Sequence, residues 1–102
     1  MSILDVVEGI LYQSADEALA HQVTTTNWES SPTSPAVVAI DETTGEDVTT
    51  NVYPTNSPSV SNDIISLSLL KNLVEGHRYR IELKFTVGSN IWECRFFVEC
   101  VF

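Results

Sequence analysis

Basic residues are scarce in this chain and absent from its first seventy positions. The 102 residues include five Lys and Arg against 14 Asp and Glu, which gives a formal net charge of −9. All the basic residues come after position 70, at Lys71, Arg78, Arg80, Lys84 and Arg95. Because phosphate neutralisation dominates affinity for nucleic acids, we expect no nucleic-acid partner. A secretory signal peptide needs a basic start, so we expect none here and synthesis in the cytoplasm.

Long hydrophobic runs, glycines and cysteines are also few. No apolar stretch reaches the ~20 residues of a membrane-spanning helix, so we expect a soluble protein with no membrane partner. Only four glycines occur, which leaves little backbone to line an oxyanion or phosphate site. The two cysteines, Cys94 and Cys100, lie on one predicted strand about 20 Å apart, too far for a disulfide. We expect two free, buried thiols.

Two segments near the C-terminus alternate strictly between apolar and polar residues. Odd positions are apolar over 79–87 and even positions are apolar over 92–102, which is typical of half-buried strands. Gly88 in the connection tolerates the positive φ of a two-residue turn, which predicts Val87 opposite Asn90. The same register sets opposite charges side by side on the outer face, in the pairs Lys84–Glu93, Glu82–Arg95 and Arg78–Glu99.

A corner motif precedes this hairpin. Leu73, Gly76 and Tyr79 have the spacing of a tyrosine corner, in which the Tyr hydroxyl bonds to backbone a few residues upstream. With the strand-like segment 64–69 before it, the region resembles strands E, F and G of fibronectin type III and immunoglobulin-like domains. This resemblance concerns architecture rather than activity, since such sandwiches host many unrelated functions.

The rest of the chain predicts further strands. We expect strands over 9–13 and 19–26, with one or two helical turns over 16–22 as the alternative. Segments 36–41 and 48–53 predict a second hairpin, whose turn places Gly45 in a left-handed conformation.

These strands predict one all-β domain over residues 9–102, preceded by a short leader over residues 1–8. Short strands at regular spacing are typical of an immunoglobulin-like or fibronectin type III-like Greek-key β-sandwich of about seven strands.

Few side chains are spaced for chemistry. Four carboxylates cluster at the tip of the second hairpin, those of Asp41, Glu42, Glu46 and Asp47. Their spacing matches no calcium loop, so a solvated acidic turn is the simpler interpretation. His21 and His77 have no neighbours at metal-ligand spacing. Neither a nucleophile elbow nor a phosphate loop is present. We therefore expect no metal, no cofactor and no catalysis. An enzyme would require carboxylates or His77 to converge in a deep pocket.

Taken whole, residues 9–102 resemble small immunoglobulin-like proteins encoded among phage and prophage structural genes. The resemblance lies in three stretches, Thr26-Asn27-Trp28-Glu29-Ser30-Ser31-Pro32, the turn at Thr44-Gly45, and Leu73-x-x-Gly76-His77-x-Tyr79-Arg80 leading into Phe85-Thr86-Val87-Gly88. It implies a non-enzymatic virion component or assembly module at a head-to-tail connector, tail, fibre or capsid surface. Its partners would be other virion or assembly proteins, and its location the virion, or the bacterial cytoplasm before assembly.

Two kinds of binding surface are open. The first is an apolar surface for a partner or a second copy, formed by Phe97 and Val101 with the leader residues Ile3, Leu4, Val6 and Val7. The second belongs to an alternative function, a ligand-binding or adhesion module that contacts a carbohydrate or receptor through loops 30–35 and 54–63. Exposure of Trp28 or Tyr53 beside carboxylates would favour the alternative, whereas burial of both rings would disfavour it. Core packing is the simpler interpretation of Trp28.

Overall fold

The protein is built from two β-sheets. The computed structural model describes residues 2–25 and 32–101, of which residues 2–10 are described by their backbone only. This part of the chain forms one short helix, α1 (Thr49–Val52), and eight strands, β1 (Ser2–Gln13), β2 (Leu19–Thr24), β3 (Thr33–Asp41), β4 (Glu46–Asp47), β5 (Ser59–Ser61), β6 (Ile64–Leu70), β7 (Arg78–Val87) and β8 (Asn90–Cys100). The first sheet has the order β1-β8-β7-β3-β4 and the second has the order β2-β6-β5. An all-β, sandwich-like fold is therefore confirmed.

The hairpin of β7 and β8 has the predicted register. Val87 pairs with Asn90 across the turn, and Leu83 pairs with Cys94 in the middle of the two strands. Gly88 has a φ of 59°, which a residue with a side chain rarely adopts. The alternation of the sequence and the chemistry of the turn agree, so only one register buries the apolar face.

The core lies between the two sheets. β7 and β8 contribute the largest share, with side chains that are almost fully buried: Tyr79, Ile81, Leu83, Phe85, Cys94, Phe96, Val98 and Cys100. The second sheet covers them with Val23, Ile65, Leu67 and Leu70. Cys94 and Cys100 are both buried and form no disulfide, as predicted.

His21 on β2 packs against this core. Its ring lies 5.5 Å from that of Phe96, and its buried Nδ1 has no hydrogen-bond partner among the described residues. Burial lowers the pKa of His21 below its usual 6.5, because the charged ring loses solvent.

We expect His21 to make the protein less stable in mild acid. The unfolded chain binds a proton near pH 6.5 more readily than the folded one, so the free energy of unfolding falls as the pH drops below 6.5. Urea unfolding of the wild type and of His21→Gln from about pH 8 to about pH 5 would test this. The stability of the variant relative to the wild type should rise as the pH falls, and a difference that stays constant would contradict the prediction.

The tyrosine corner has the predicted geometry. The backbone N–H of Val74 donates to the hydroxyl of Tyr79 at 2.8 Å, and Leu73 is buried beside it. Gly76 has a φ of 84°, so the corner requires a residue without a side chain. Burial raises the pKa of Tyr79. This bond fixes the path of the chain from β6 into β7.

The strand predicted over 48–53 is wrong. Only Glu46–Asp47 pairs with β3, as β4, and the chain then forms helix α1. Asp47 accepts hydrogen bonds from the backbone N–H and the hydroxyl of Thr49, at 3.0 and 2.6 Å. The Thr49 hydroxyl in turn accepts the N–H of Ala39 at 2.9 Å. The Thr49 hydroxyl thus accepts the N–H of Ala39, which the backbone of a longer β4 would have bonded. The backbone after β4 can therefore form helix α1. The preceding turn is as predicted, with Gly45 at a φ of 80°.

Residues 2–8, which were predicted as part of a leader, belong to β1. Ser2 to Asp5 pair in parallel with Trp92 to Arg95 of β8, and the register shifts before pairing resumes at Ile10. A strand was predicted from residue 9, but the edge of β8 offers backbone groups along its whole length, and the earlier residues pair with them.

Two other segments differ in detail from the prediction. The helical alternative over 16–22 is not adopted, since β2 begins at Leu19. The loop predicted over 54–63 contains β5, which pairs with β6. Within the described residues, no helix is long and apolar enough to cross a membrane.

Candidate functional site

The outer face of the first sheet presents a group of exposed apolar side chains at one end. Phe97 and Val101 are two and six positions after Arg95 and point to the same side of the sheet as Tyr12, which pairs with Glu99. Tyr12 is 63% exposed and Val101 is 42% exposed. We call Tyr12, Phe97 and Val101 the aromatic patch. Phe97 and Val101 were candidates from sequence, whereas Tyr12 was not.

Two arginines cover the ring of Phe97. The guanidinium carbon of Arg78 lies 4.5 Å from the ring centroid and that of Arg95 lies 5.9 Å away. Each contact of this kind contributes about 0.5–1 kcal/mol at an exposed site. Phe97 is therefore half-buried and held in one orientation, with its charged neighbours arranged around it.

An ion pair holds Arg78 in turn, and a second one joins Arg80 to the same carboxylate. Arg78 Nε lies 3.5 Å from Glu42 Oε1, and Arg80 Nη1 lies 2.9 Å from Glu42 Oε2. The predicted pair of Lys84 and Glu93 is present at 3.4 Å. Arg78 was predicted to pair with Glu99, which is opposite it in register, yet its ion pair is with Glu42 because the β3–β4 turn reaches across. Surface pairs contribute only about 0.2–1 kcal/mol each, so their main effect is to orient the side chains.

A cavity of about 340 Å³ lies beside the aromatic patch. It is lined by residues 75–78 of the corner and 99–101 at the end of β8. Val101 belongs both to the wall of this cavity and to the aromatic patch. Arg78, which covers the ring of Phe97, also lines the cavity. A partner that covered the exposed Tyr12 and Val101 would therefore also contact the cavity beside them.

His77 lies in the wall of this cavity and meets a buried carboxylate. Its Nδ1 lies 2.6 Å from Oδ2 of Asp41, which is 4% exposed. The other oxygen of Asp41 accepts the N–H groups of Thr43 and Thr44, at 2.9 and 3.3 Å. Both oxygens of Asp41 are thus bonded within the protein. The pair fastens the β3–β4 turn to the corner, and this role is structural.

The sequence reasoning missed this pair. His77 and Asp41 are 36 positions apart, and no spacing rule connects them. The only available signal was the turn that follows Asp41, which brings the end of β3 beside the start of β7 once those two strands pair.

The carboxylates predicted to cluster at the tip of the second hairpin do not point to a common site, because they have different partners. Asp41 is buried with His77, Glu42 pairs with two arginines, and Asp47 bonds to Thr49, which lowers the pKa of Asp47. Among residues 2–25 and 32–101, no group of three or more His, Cys, Asp or Glu has the geometry of a metal site.

The remaining candidates are placed as follows. Ile3, Leu4, Val6 and Val7 are part of β1, and the description of this segment is limited to its backbone. Trp28 and the start of loop 30–35 lie outside the described residues.

Tyr53 bears on the ligand-binding alternative. It is 2% exposed, and burial raises the pKa of its hydroxyl. Exposure of Trp28 or of Tyr53 would have favoured the ligand-binding alternative. The ring of Tyr53 is buried, so Tyr53 does not favour it. A second cavity, of about 290 Å³, borders the start of loop 54–63, lined by Pro54, Thr55, Ser68, Leu69 and Lys71.

A scan against protein-family models finds none that matches the chain, and a search of curated proteins finds no significant match.

Proposed function

We propose that the protein is a non-enzymatic assembly module of a phage or prophage particle, which binds another virion protein through the aromatic patch. The observation behind it is an exposed Tyr12 next to a Phe97 that two arginines hold in place. Tyrosine and arginine are enriched among the residues that dominate protein–protein binding. Side chains that are already ordered lose less entropy when a partner covers them.

The rigid support of the patch favours the same proposal. Phe97 stands on β8, which is paired on both sides, by β1 and by β7. The cavity beside Val101 offers a pocket for a side chain of the partner. An anchor beside a pocket on a regular strand is a common arrangement in interfaces.

We infer further that the sandwich is immunoglobulin-like, with Greek-key connections. Support comes from the tyrosine corner, from the parallel pairing of β1 on β8, and from the four connections that pass between the sheets, β1 to β2, β2 to β3, β4 to β5 and β6 to β7. The assignment to phage particles comes from the sequence resemblance described above.

The proposal predicts that the protein copurifies with particles. Prophages would be induced in the source organism, and particles purified on a density gradient and analysed by mass spectrometry. The expected result is this chain at a stoichiometry of several copies per particle. Its absence from particles, with the protein free in the cell or on the cell surface, would overturn the proposal and favour the ligand-binding alternative.

The patch can be tested in the same particles. Tyr12→Ala combined with Phe97→Ala should lower incorporation by about tenfold or more, because such residues typically contribute most of the binding energy. Ile91→Ala is a matched control, since Ile91 is also an exposed apolar residue of β8 but lies at its other end. Equal incorporation of the double variant and the control would contradict the assignment of the patch.

A further inference from the structure

The outer face of the first sheet already holds one arginine between a carboxylate and an aromatic ring. The guanidinium carbon of Arg78 lies 4.5 Å from the centroid of Phe97, and its Nε lies 3.5 Å from Oε1 of Glu42. A guanidinium makes both contacts at once because it is planar. One of its faces lies on the ring, while its N–H groups point outward to the carboxylate.

A second ring and a second carboxylate lie side by side on the same face. Tyr12 of β1 pairs with Glu99 of β8, and neighbouring strands are about 4.8 Å apart, so the two side chains are neighbours. Among the described residues, the two cations that lie over an aromatic ring, Arg78 and Arg95, both lie over Phe97. The ring of Tyr12 is 63% exposed and has no cation of this chain on it.

The charge of Glu99 is not compensated by an ion pair. Arg78 is opposite it on β7, but the ion pair of Arg78 is with Glu42. Arg80, the next outward-facing arginine of β7, pairs with Glu42 and with Glu82, at 2.9 and 3.3 Å. The arginines of β7 are thus matched by other carboxylates, and Glu99 has no ion pair within residues 2–25 and 32–101.

The cavity beside the patch adds another carboxylate. Glu75 and Glu99 both line it, and Glu75 also has no ion pair in the described part of the chain. The other charged or titratable side chains of the wall, His77 and Arg78, already have carboxylate partners. The whole chain has a net charge of −9. A complementary partner therefore brings positive charge to this end of the patch.

We propose that the partner supplies an arginine that lies on the ring of Tyr12 and forms an ion pair with Glu99. This inference rests on the proposed function, since it concerns the protein that covers the aromatic patch. The arrangement repeats the one that Phe97, Arg78 and Glu42 form within the chain. Arginine fits better than lysine, because a planar guanidinium contacts the ring and the carboxylate together, whereas an ammonium is a compact point charge.

Incorporation into particles tests the role of Glu99. Glu99→Gln keeps the size of the side chain and removes its charge, and it should lower incorporation by about tenfold or more, because the arginine would be buried without its carboxylate. Glu93→Gln is the matched control. Glu93 is on the same face of β8, towards its other end, and pairs with Lys84, so this variant should be incorporated like the wild type. Equal incorporation of the two variants would overturn the proposal.

Photo-cross-linking identifies the partner residue. Tyr12→p-benzoylphenylalanine keeps an aromatic ring at the site and bonds to whatever lies on it when assembled particles are irradiated. Mass spectrometry should find the cross-link in a segment of another virion protein, at or next to an arginine. A segment that contains no arginine, or a segment of a second copy of this chain, would overturn the proposal.

Replacement of that arginine by Gln in the partner completes the test. It should lower incorporation of the wild-type chain about as much as Glu99→Gln does, and it should have little further effect on the Glu99→Gln chain, because the two changes remove the same contact. Independent, additive losses would show that the two residues do not interact.

The outcomes separate this inference from the proposed function. Absence of the wild-type chain from particles would overturn both. If Tyr12→Ala with Phe97→Ala lowers incorporation while Glu99→Gln does not, the aromatic patch remains the binding surface and the inference about the arginine alone is wrong.

Discussion

Replacement of Phe96 by Ala is expected to lower the free energy of unfolding by about 3–5 kcal/mol. Phe96 is 3% exposed, lies opposite Ile81 on β7 and contacts the ring of His21 from the second sheet. Truncation would leave a cavity where the two sheets meet. A domain of this size is stable by roughly 5–15 kcal/mol, so the loss would be a large share of the total. Urea unfolding followed by circular dichroism measures it.

The neighbouring Phe97 is the matched control. It is the same residue type, one position further along β8, but it points to the outer face and its ring contacts are with Arg78 and Arg95. Phe97→Ala should cost about 1–2 kcal/mol, the sum of two exposed cation–π contacts at about 0.5–1 kcal/mol each. Losses of equal size at the two positions would show that the assignment of inner and outer faces is wrong.

Asp41→Ala is expected to be the second most damaging change, with a loss of about 2–4 kcal/mol. The buried carboxylate bonds to His77 and to the N–H groups of Thr43 and Thr44. Its removal leaves the N–H groups of Thr43 and Thr44 without their acceptor and His77 without its partner, and it separates the β3–β4 turn from the corner. Thermal and urea unfolding at neutral pH would measure the effect.

Glu42→Ala is the control for that experiment. Glu42 is the next residue and forms two ion pairs, but it is exposed, so we expect a loss of at most about 1 kcal/mol. If Asp41→Ala cost no more than Glu42→Ala, the contact with His77 would contribute no more than an ordinary surface pair.

The hairpin of β7 and β8 shows which parts of the fold the sequence predicts well. Alternation fixes the buried face, Gly88 fixes the turn, and the pair of Lys84 and Glu93 agrees with both. All these signals are local, within about ten residues of one another, so they can be combined without knowledge of the rest of the chain. The tyrosine corner was predictable for the same reason.

The parts that could not be predicted depend on contacts between distant residues. Val52 and Tyr53 were assigned to a strand because their side chains favour one. The chain forms a helix instead, because the Thr49 hydroxyl donates to Asp47 and accepts the N–H of Ala39. Tyr12 joins the aromatic patch only because β1 pairs with β8, at the other end of the chain. No spacing in the sequence indicates either outcome.

The parallel pairing of β1 with β8 also determines how the protein would respond to mechanical force. Because the two strands run in the same direction, Ser2 lies beside Trp92 while Gln13 lies beside Cys100. Tension applied between the start of β1 and the end of β8 pulls the strands along their length in opposite directions. The hydrogen bonds between them are then stretched in shear, many at once, rather than opened one after another as in a zipper. A module of this kind resists extension along its long axis.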